Sequence, residues 1–215
     1  MQGKKVLLTA GPTREPIDPV RFISNYSSGK MGIALAEEAA KRGAEVTLVK
    51  GPTVVQTNNP TIKIINVQTA AEMFDAVAQY FAENDVVIFA AAVADYTPKF
   101  PASSKIKKQG NELMLELVKT KDIAFEMSKH KQSTQLCIGF ALETDNEEEY
   151  AKAKLASKNL DIIVLNSLRD EGAGFQVDTN KVTIIDKQGK RTAFDVQSKT
   201  ETAKDILDYI EQYEI

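Results

Sequence analysis

Apolar and polar residues follow two alternating periods along the chain, and these periods predict strands and helices in turn. Short runs rich in β-branched and aliphatic residues indicate strands, and apolar residues three or four positions apart indicate helices. Strands are expected at residues 6–10, 45–49, 62–67, 85–92, 113–118, 135–141, 161–165, 181–185 and 191–196. Helices are expected at residues 33–42, 70–82, 122–131, 147–158 and 202–213.

This order of elements predicts an α/β fold, a three-layer Rossmann-like sandwich with a mainly parallel sheet. The run at 85–92 is apolar throughout, as in a central parallel strand covered on both faces. The last two strands flank Asp186-Lys-Gln-Gly, a turn signal that predicts a C-terminal antiparallel hairpin. Because the chain has 215 residues and no internal repeat, we expect a single domain over residues 1–215.

Composition narrows the range of partners and compartments. The formal net charge of -3 argues against nucleic acid as the main partner, since a basic face is its usual counterpart. Cys137 is the only cysteine, so no intrachain disulfide can form and a reducing cytoplasm is the simplest setting. No apolar run approaches the length of a membrane span. We therefore expect a cytoplasmic protein with no membrane partner.

The segment from residue 9 to residue 32 carries more chemistry than a turn requires. It joins an expected strand to an expected helix, and a helix start favours bound anions through its N–H groups and its dipole. Gly29 and Gly32 lack a Cβ and allow close approach of the backbone. The same segment contains Arg21 and Asn25. A phosphate site is therefore expected here.

A second candidate segment, residues 90–96, follows the central strand. Ligands of open α/β sheets bind beyond the carboxyl ends of the strands. Small alanines leave space there, and Asp95 offers an acceptor for hydroxyl or amino groups. Tight packing of a helix on the sheet, with Asp95 as a cap, is the alternative interpretation.

Lysines form the third candidate feature. Lys105 lies with Lys107 and Lys108 in a long polar connection at 97–109, which has four lysines in all and the length of a lid. Lys154 and Lys158 are four positions apart and share a helix face. A solvated charged face would explain any one of them, but together with the phosphate site they favour a polyanionic substrate such as a nucleotide.

Several familiar motifs are absent or incomplete. The Ser28-Gly-Lys-Met-Gly run lacks the glycine and the hydroxyl residue of a P-loop, and no G-x-G-x-x-G follows the first strand. Tyr150 and Lys154 match the spacing of a reductase pair, but no serine lies at the expected distance upstream. His130 is the only histidine, so neither a Ser-His-Asp triad nor a histidine metal site is supported. An NADP-dependent Rossmann-type reductase and an inactive nucleotide-binding module remain as alternatives.

Four motifs in order resemble one enzyme family. They are Asp18-Pro-Val-Arg-Phe-Ile-Ser-Asn-Tyr-Ser-Ser-Gly-Lys-Met-Gly32, Ala91-Ala-Val-Ala-Asp-Tyr96, Lys105-Ile-Lys-Lys108 and Gly139-Phe-Ala-Leu-Glu-Thr144. Nearly the whole chain is similar to phosphopantothenoylcysteine synthetase, in many bacteria the C-terminal half of a bifunctional synthetase/decarboxylase for coenzyme A. Two departures stand out: Tyr26 where histidine is common, and Thr120-Lys-Asp-Ile where Asn-Pro-Asp-Ile is common.

The resemblance implies a ligase that joins 4'-phosphopantothenate to L-cysteine. CTP activates the substrate carboxylate as an acyl-cytidylate with release of pyrophosphate, and cysteine then displaces CMP. Mg²⁺ is implied, with no ligands that the sequence identifies, and a homodimer is implied as well. The flavin-dependent decarboxylase half is missing, so no flavin is expected. Gln2-Gly-Lys-Lys-Val resembles the linker between the halves, which favours a chain excised from a longer protein.

The resemblance also implies roles for individual residues. Asn25 would donate to the acyl carbonyl oxygen. Lys105 would be the other catalytic residue, on a flap at about residues 97–109 that closes over the site. Arg21 would bind the substrate phosphate, across a dimer interface, with Asn25, Ala91 and Ala92 also contacting phosphopantothenate. The nucleotide would contact Gly11, Ser27, Gly29, Gly32, Asp95, Lys105, Lys121, Asp122, Ile123, Phe140, Lys154, Lys158 and Asn166.

Overall fold

A computed structural model of the chain describes residues 1–108, 110–143, 145–167 and 177–213. Gln109, at the end of the expected flap, and Thr144, at the end of the fourth motif, lie outside the described residues. Of the helices in the described ranges, none combines the length and the apolar character needed to cross a membrane.

Strands and helices alternate through most of the chain. The strands are β1 (Lys5–Ala10), β2 (Arg14–Pro16), β3 (Phe22–Ser24), β4 (Glu45–Lys50), β5 (Lys63–Asn66), β6 (Val86–Phe89), β7 (Tyr96–Pro98), β8 (Leu117–Lys119), β9 (Leu136–Glu143), β10 (Ile162–Ser167), β11 (Thr179–Asn180), β12 (Val182–Asp186), β13 (Arg191–Ala193) and β14 (Gln197–Ser198). The helices are α1 (Lys30–Lys41), α2 (Ala70–Phe81), α3 (Ile123–Ser128), α4 (Glu147–Ser157) and α5 (Lys199–Gln212).

In the described part of the chain, eight strands form the central sheet, in the order β13-β12-β10-β9-β6-β1-β4-β5. All neighbouring pairs from β10 to β5 are parallel, whereas β12 is antiparallel to both β10 and β13. The expected Rossmann-like sandwich and its C-terminal antiparallel hairpin are thus confirmed. The order in which strands are added reverses between β1 and β6: β4 and β5 follow on one side of β1, and β6 lies on its other side.

Helices cover both faces of the sheet, because the alternating side chains of each strand are buried on opposite sides. On β1, Val6 and Leu8 pack with Leu35 of α1 and Ile206 of α5. Leu7, between them, packs on the other face in the core that contains residues of α2, α3 and α4. All five of these named side chains are fully buried.

Several expected boundaries are wrong, and the differences lie close to the carboxyl ends of the central strands. The segment at 9–32 contains the antiparallel hairpin β2–β3. Helix α1 begins at Lys30, rather than at residue 33, because the left-handed backbone of Gly29 (φ 75°) supplies its N-cap. The strand expected at 85–92 ends at Phe89. In place of the strand expected at 113–118 there is the shorter strand β8, which pairs with β7 in a separate two-stranded ribbon.

Gly32 brings α1 into close contact with β1. A Cβ built on Gly32 would lie 2.5 Å from the Cβ of Ala10, which is far too close for two carbon atoms. We expect Gly32→Ala to lower the free energy of unfolding by about 1–3 kcal/mol, since overpacking forces the helix away from the strand. Denaturant unfolding of both single variants and of the double variant with Ala10→Gly measures this. If the double variant loses as much free energy of unfolding as the two single variants lose together, the packing argument is contradicted.

Candidate active site

A cavity of about 740 Å³ opens at the carboxyl ends of β1, β6 and β9. It lies where the order of strands reverses, the usual place for ligands in sheets of this type. Its volume is in the range of small-molecule sites. Thr9 of β1, Phe89 of β6 and Phe140 of β9 belong to its lining.

The N-terminus of α1 forms one side of this cavity. Residues 27–32 line it in sequence, and the left-handed Gly29 turns the chain into the helix. Hydrogen bonds that hold the turn include Gly29 N to Ser27 Oγ (3.3 Å) and Thr53 Oγ1 to Ser28 O (2.5 Å). The positive end of the α1 dipole therefore faces the cavity, which favours an anionic group there.

The segment after β6 forms another wall of the cavity and is held by the segment after β1. Ala91 N donates to Thr9 Oγ1 (3.1 Å), and Ala92 N donates to Gly11 O (2.9 Å). Ala94 N, which is buried, donates to Thr13 Oγ1 (3.0 Å). These bonds fix the backbone of the wall, while the small side chains of Ala91 and Ala92 leave space for a ligand.

Asn25 lies against this wall. Its Nδ2 donates to both Ala92 O (3.2 Å) and Val93 O (3.1 Å). An amide nitrogen carries two hydrogens, so both are engaged in this arrangement. Donation to a substrate carbonyl therefore requires that one of these two bonds be exchanged when the ligand binds.

Lysines dominate the charge of the cavity. Among the described residues, six lysines line it, against two aspartates, Asp95 and Asp122. The lysines are Lys30, Lys119, Lys121, Lys154, Lys158 and Lys199. This excess of positive charge suits a polyanionic ligand.

Two of these lysines are held by defined partners at the α3 side. Lys158 Nζ lies 2.9 Å from Asp122 Oδ2, while Asp122 Oδ1 accepts from Phe125 N (3.1 Å) and so caps α3. Lys121 Nζ lies 4.2 Å from the centroid of the Phe74 ring, in a cation–π contact. Both ammonium groups are therefore oriented before any ligand arrives.

Lys199 and Asn180 are cavity residues that the sequence analysis missed. Lys199 is only 7% exposed, and its Nζ donates to the carbonyl oxygens of Val177 and Thr179. Burial, and then the neighbouring charge of Lys30, lower the pKa of Lys199. Asn180 is also buried and accepts a hydrogen bond from Asn166 Nδ2 (3.4 Å). No periodicity or motif distinguishes either residue, so the sequence carries no signal for them.

Asn166 contributes an unsatisfied acceptor to the same end of the cavity. Its Oδ1 is buried and has no hydrogen-bond partner among the described residues. A buried acceptor without a donor costs free energy, so a ligand hydroxyl or amino group at this position would be favoured.

Fourteen of the seventeen site residues expected from the sequence line this one cavity. The three that do not line it are Gly11, Arg21 and Lys105. Gly11 lies behind the α1 turn, where a Cβ on Gly29 would be 3.2 Å from its Cα, so its place is to support Gly29. Tyr150, half of the alternative reductase pair, is exposed and is also outside the cavity lining.

Arg21 and Lys105 lie together on an arm, defined here as residues 14–24, 96–108 and 110–119. It consists of the ribbons β2–β3 and β7–β8 with their connections. The flap expected at about 97–109 belongs to this arm and is bonded to it, since Ala102 N donates to Ile17 O (2.9 Å). The arm exposes large apolar side chains, including Phe100 at 75% and Met114 at 92%.

Carboxylates in the described residues do not form a ready-made metal site. No group of three or more histidine, cysteine, aspartate or glutamate side chains in that part of the chain could hold an ion. Asp95, exposed in the cavity lining, is one carboxylate that could share an ion with ligand oxygens.

Residues 1–213 match the family model described as DNA/pantothenate metabolism flavoprotein C-terminal domain. The chain belongs to this family. Solved structures agree with this assignment: the crystal structure of the C-terminal domain of coenzyme A biosynthesis bifunctional protein CoaBC aligns with a TM-score of 0.83 and 45% identity, covering 98% of this chain and 97% of that one.

Two curated relatives are longer than this chain. CoaBC of Bacillus subtilis (strain 168) is 48% identical over 210 residues, which cover 98% of this chain and 52% of that protein. A protein named cysteine/cysteine sulfinic acid decarboxylase, from an unknown prokaryotic organism, is 54% identical over 207 residues, which cover 96% of this chain and 58% of that protein. The chain thus spans about half the length of the curated relatives it matches.

Proposed function

We propose that this chain is the CTP-dependent ligase of coenzyme A biosynthesis, joining 4'-phosphopantothenate to L-cysteine. The observation that carries the proposal is the lysine-rich cavity at the N-terminus of α1, which gathers fourteen of the residues that the family resemblance implies. The 48% identity with CoaBC of B. subtilis, over nearly the whole chain, supports it.

The proposed reaction has two steps that need no protein nucleophile. A carboxylate oxygen of phosphopantothenate attacks the α-phosphorus of CTP, and the bond to the bridging oxygen breaks to release pyrophosphate. The amine of cysteine then attacks the acyl carbon and loses a proton as CMP leaves. The chief demand on the protein is to hold two anions together in the correct orientation.

The cavity residues fit this demand. Its lysines and the start of α1 would neutralise the phosphates, and Lys154 and Lys158 would contact CTP together with Phe140 and Asn166. Asn25 would exchange one of its bonds to the Ala92 and Val93 carbonyls for the acyl oxygen. In the proposed first step negative charge builds up on the α-phosphate and the departing pyrophosphate, and in the second step on the acyl oxygen. Oriented donors at these positions have the largest effect.

Mg²⁺ fits as a co-substrate ion held mainly by phosphate oxygens and water, with Asp95 as the protein ligand. This ion commonly uses one or two carboxylates and keeps several waters, so a single exposed carboxylate in the cavity is sufficient. When bound, it would neutralise triphosphate charge. The proposal requires no flavin in this half.

A second copy of the chain would complete the site. Arg21 and Lys105 lie outside the cavity of their own chain, on an arm with exposed apolar side chains. The proposed homodimer buries this apolar surface and brings Arg21 to the phosphate of phosphopantothenate in the neighbouring cavity. The hairpin after Lys181, an alternative dimer element because hairpin edges can pair, is the other surface to test.

Since the relatives are about twice as long, the chain would be fused to the flavin-dependent decarboxylase half.

Pyrophosphate release tests the proposal directly. With CTP, Mg²⁺, 4'-phosphopantothenate and cysteine, we expect release that requires phosphopantothenate and that falls when ATP replaces CTP. Release without phosphopantothenate would indicate a simple nucleotidase. A folded sample that is silent with both nucleotides would support the inactive module, and NADPH binding in a fluorescence titration would support the reductase.

A further inference from the structure

We propose that Asp18 is a positioning residue that holds Arg21 and the flap at Lys105 as one unit. The inference rests on the proposed function, because it gives Arg21 the substrate phosphate as its ligand. It adds a residue to which the resemblance assigns no role, and it explains why Arg21 and Lys105, two of the three expected site residues outside the cavity lining, lie side by side.

Asp18 first closes the turn that carries Arg21. Its Oδ1 accepts from Val20 N (2.8 Å) and from Arg21 N (2.9 Å). Ile17 N donates to Arg21 O (2.8 Å) across the same turn. The backbone of Arg21 is therefore fixed on both sides, which sets the direction in which its side chain leaves the hairpin.

The second carboxylate oxygen joins this turn to the flap. Asp18 Oδ2 accepts from Arg21 Nε (3.0 Å), from Arg21 Nη2 (2.5 Å) and from Ile106 N (3.1 Å). Arg21 Nη2 also donates to Ile106 O (3.1 Å). Both backbone groups of Ile106 are thus bound to the Asp18–Arg21 pair, and Lys105 is the adjacent residue.

The Asp18 side chain is suited to this role because it is completely buried, whereas that of Arg21 is 40% exposed. The hydrogen bonds from the Arg21 guanidinium, with those from three backbone N–H groups, hold the pKa of Asp18 far below its usual range despite its burial. The carboxylate therefore remains ionised throughout the pH range in which the protein would be assayed.

The same bonds decide what Arg21 can offer a ligand. A guanidinium has five N–H groups, and Nε and Nη2 direct theirs to Asp18 and Ile106. The two hydrogens on Nη1 have no acceptor among the described residues. They can donate to a phosphate without breaking the contacts to the flap, so a bound phosphomonoester would anchor the flap through Arg21.

Asp18→Asn tests this arrangement. Asparagine keeps one acceptor oxygen, but it has no charge and its NH₂ group cannot accept a hydrogen bond from the Arg21 guanidinium. We expect the KM for 4'-phosphopantothenate to rise about tenfold, with the KM for CTP within about twofold of the wild-type value. Trypsin should cut after Lys105, Lys107 and Lys108 at least about five times faster than in the wild-type protein. Arg21→Gln, at a half-exposed position, should accelerate the same cleavage and serves if Asp18→Asn does not fold.

Glu15→Gln is the matched control. Glu15 is also a buried carboxylate of this hairpin, but it accepts from Ala70 N (2.8 Å), away from the flap. We expect it to change neither the cleavage rate nor the KM for phosphopantothenate. Wild-type cleavage in both Asp18→Asn and Arg21→Gln, or an equal rise in the KM for both substrates, would overturn the inference. Because trypsin cleavage needs no activity, an inactive wild-type protein would instead overturn the proposed function.

Discussion

Replacing Asn25 by aspartate is expected to remove product formation while the chain still folds. The Asn25 amide lies against two carbonyl oxygens, at 3.2 and 3.1 Å, and a carboxylate there would meet both of them without a hydrogen to share. It would also bring a negative charge towards the anionic substrates. Loss of one oriented donor costs about 10²–10³ in kcat, and the added charge should bring the loss to the upper end of that range.

Steady-state pyrophosphate release and thermal unfolding, measured on the same sample, test this prediction. Asn59→Asp is the matched control, because within the described residues the Asn59 side chain accepts hydrogen bonds, from the backbone N and the Oγ1 of Thr61, and donates none. It should keep wild-type turnover. Unchanged turnover in Asn25→Asp would show that Asn25 takes no part in the reaction. Another residue of the cavity would then have to donate to the acyl oxygen.

Asp161→Ala is expected to cause the largest loss of stability. Asp161 Oδ1 accepts from Lys131 Nζ (2.5 Å), and Oδ2 accepts from the buried backbone N of Cys137 (2.8 Å). Both charged side chains are only 9% exposed. Alanine would leave the buried ammonium group of Lys131 without its counterion, with the carbonyl oxygen of Asn159 as a distant acceptor (3.4 Å), and the buried N–H of Cys137 without the carboxylate. This costs about 3–5 kcal/mol of the free energy of unfolding.

Urea unfolding gives the size of this effect. Glu126→Ala, which removes the partner of Lys129 in an exposed pair, is the control and should cost less than about 1 kcal/mol. Adding Lys131→Met to Asp161→Ala should recover part of the loss, because the uncompensated charge is then gone. Equal costs for Asp161→Ala and Glu126→Ala would show that burial of the pair has little effect on stability.

The local pattern of apolar and polar residues was sufficient to predict most strands and helices of the fold. Strands and helices whose apolar residues face a core were found within a few residues, because burial imposes a period on the sequence. The Asp186-Lys-Gln-Gly turn was confirmed, with Gly189 at φ 86° closing it. Cys137, expected in an apolar strand, is fully buried, and burial raises the pKa of its thiol to about 12.

The candidate site was predicted only in part. Motif resemblance identified residues from several separate segments, and the sheet topology brings most of them to one cavity. Neither the period nor the motifs indicated Lys199 and Asn180. Asn180 lies in β11 and Lys199 directly follows β14, and these strands of two residues are too short to show a period. The hairpin β2–β3 was missed as well, since strands of three residues are too short to show a period.

The sequence by itself determined the class of fold, the alternation of elements and the family, because these depend on periods and motifs that neighbouring residues carry. Only the tertiary structure decided that Arg21 and Lys105 lie outside the cavity, and that Asp18 joins them. The Asp18–Ile106 bond spans 88 positions along the chain. A contact over such a separation depends on how the whole sheet places its loops, and no local pattern of residues encodes it.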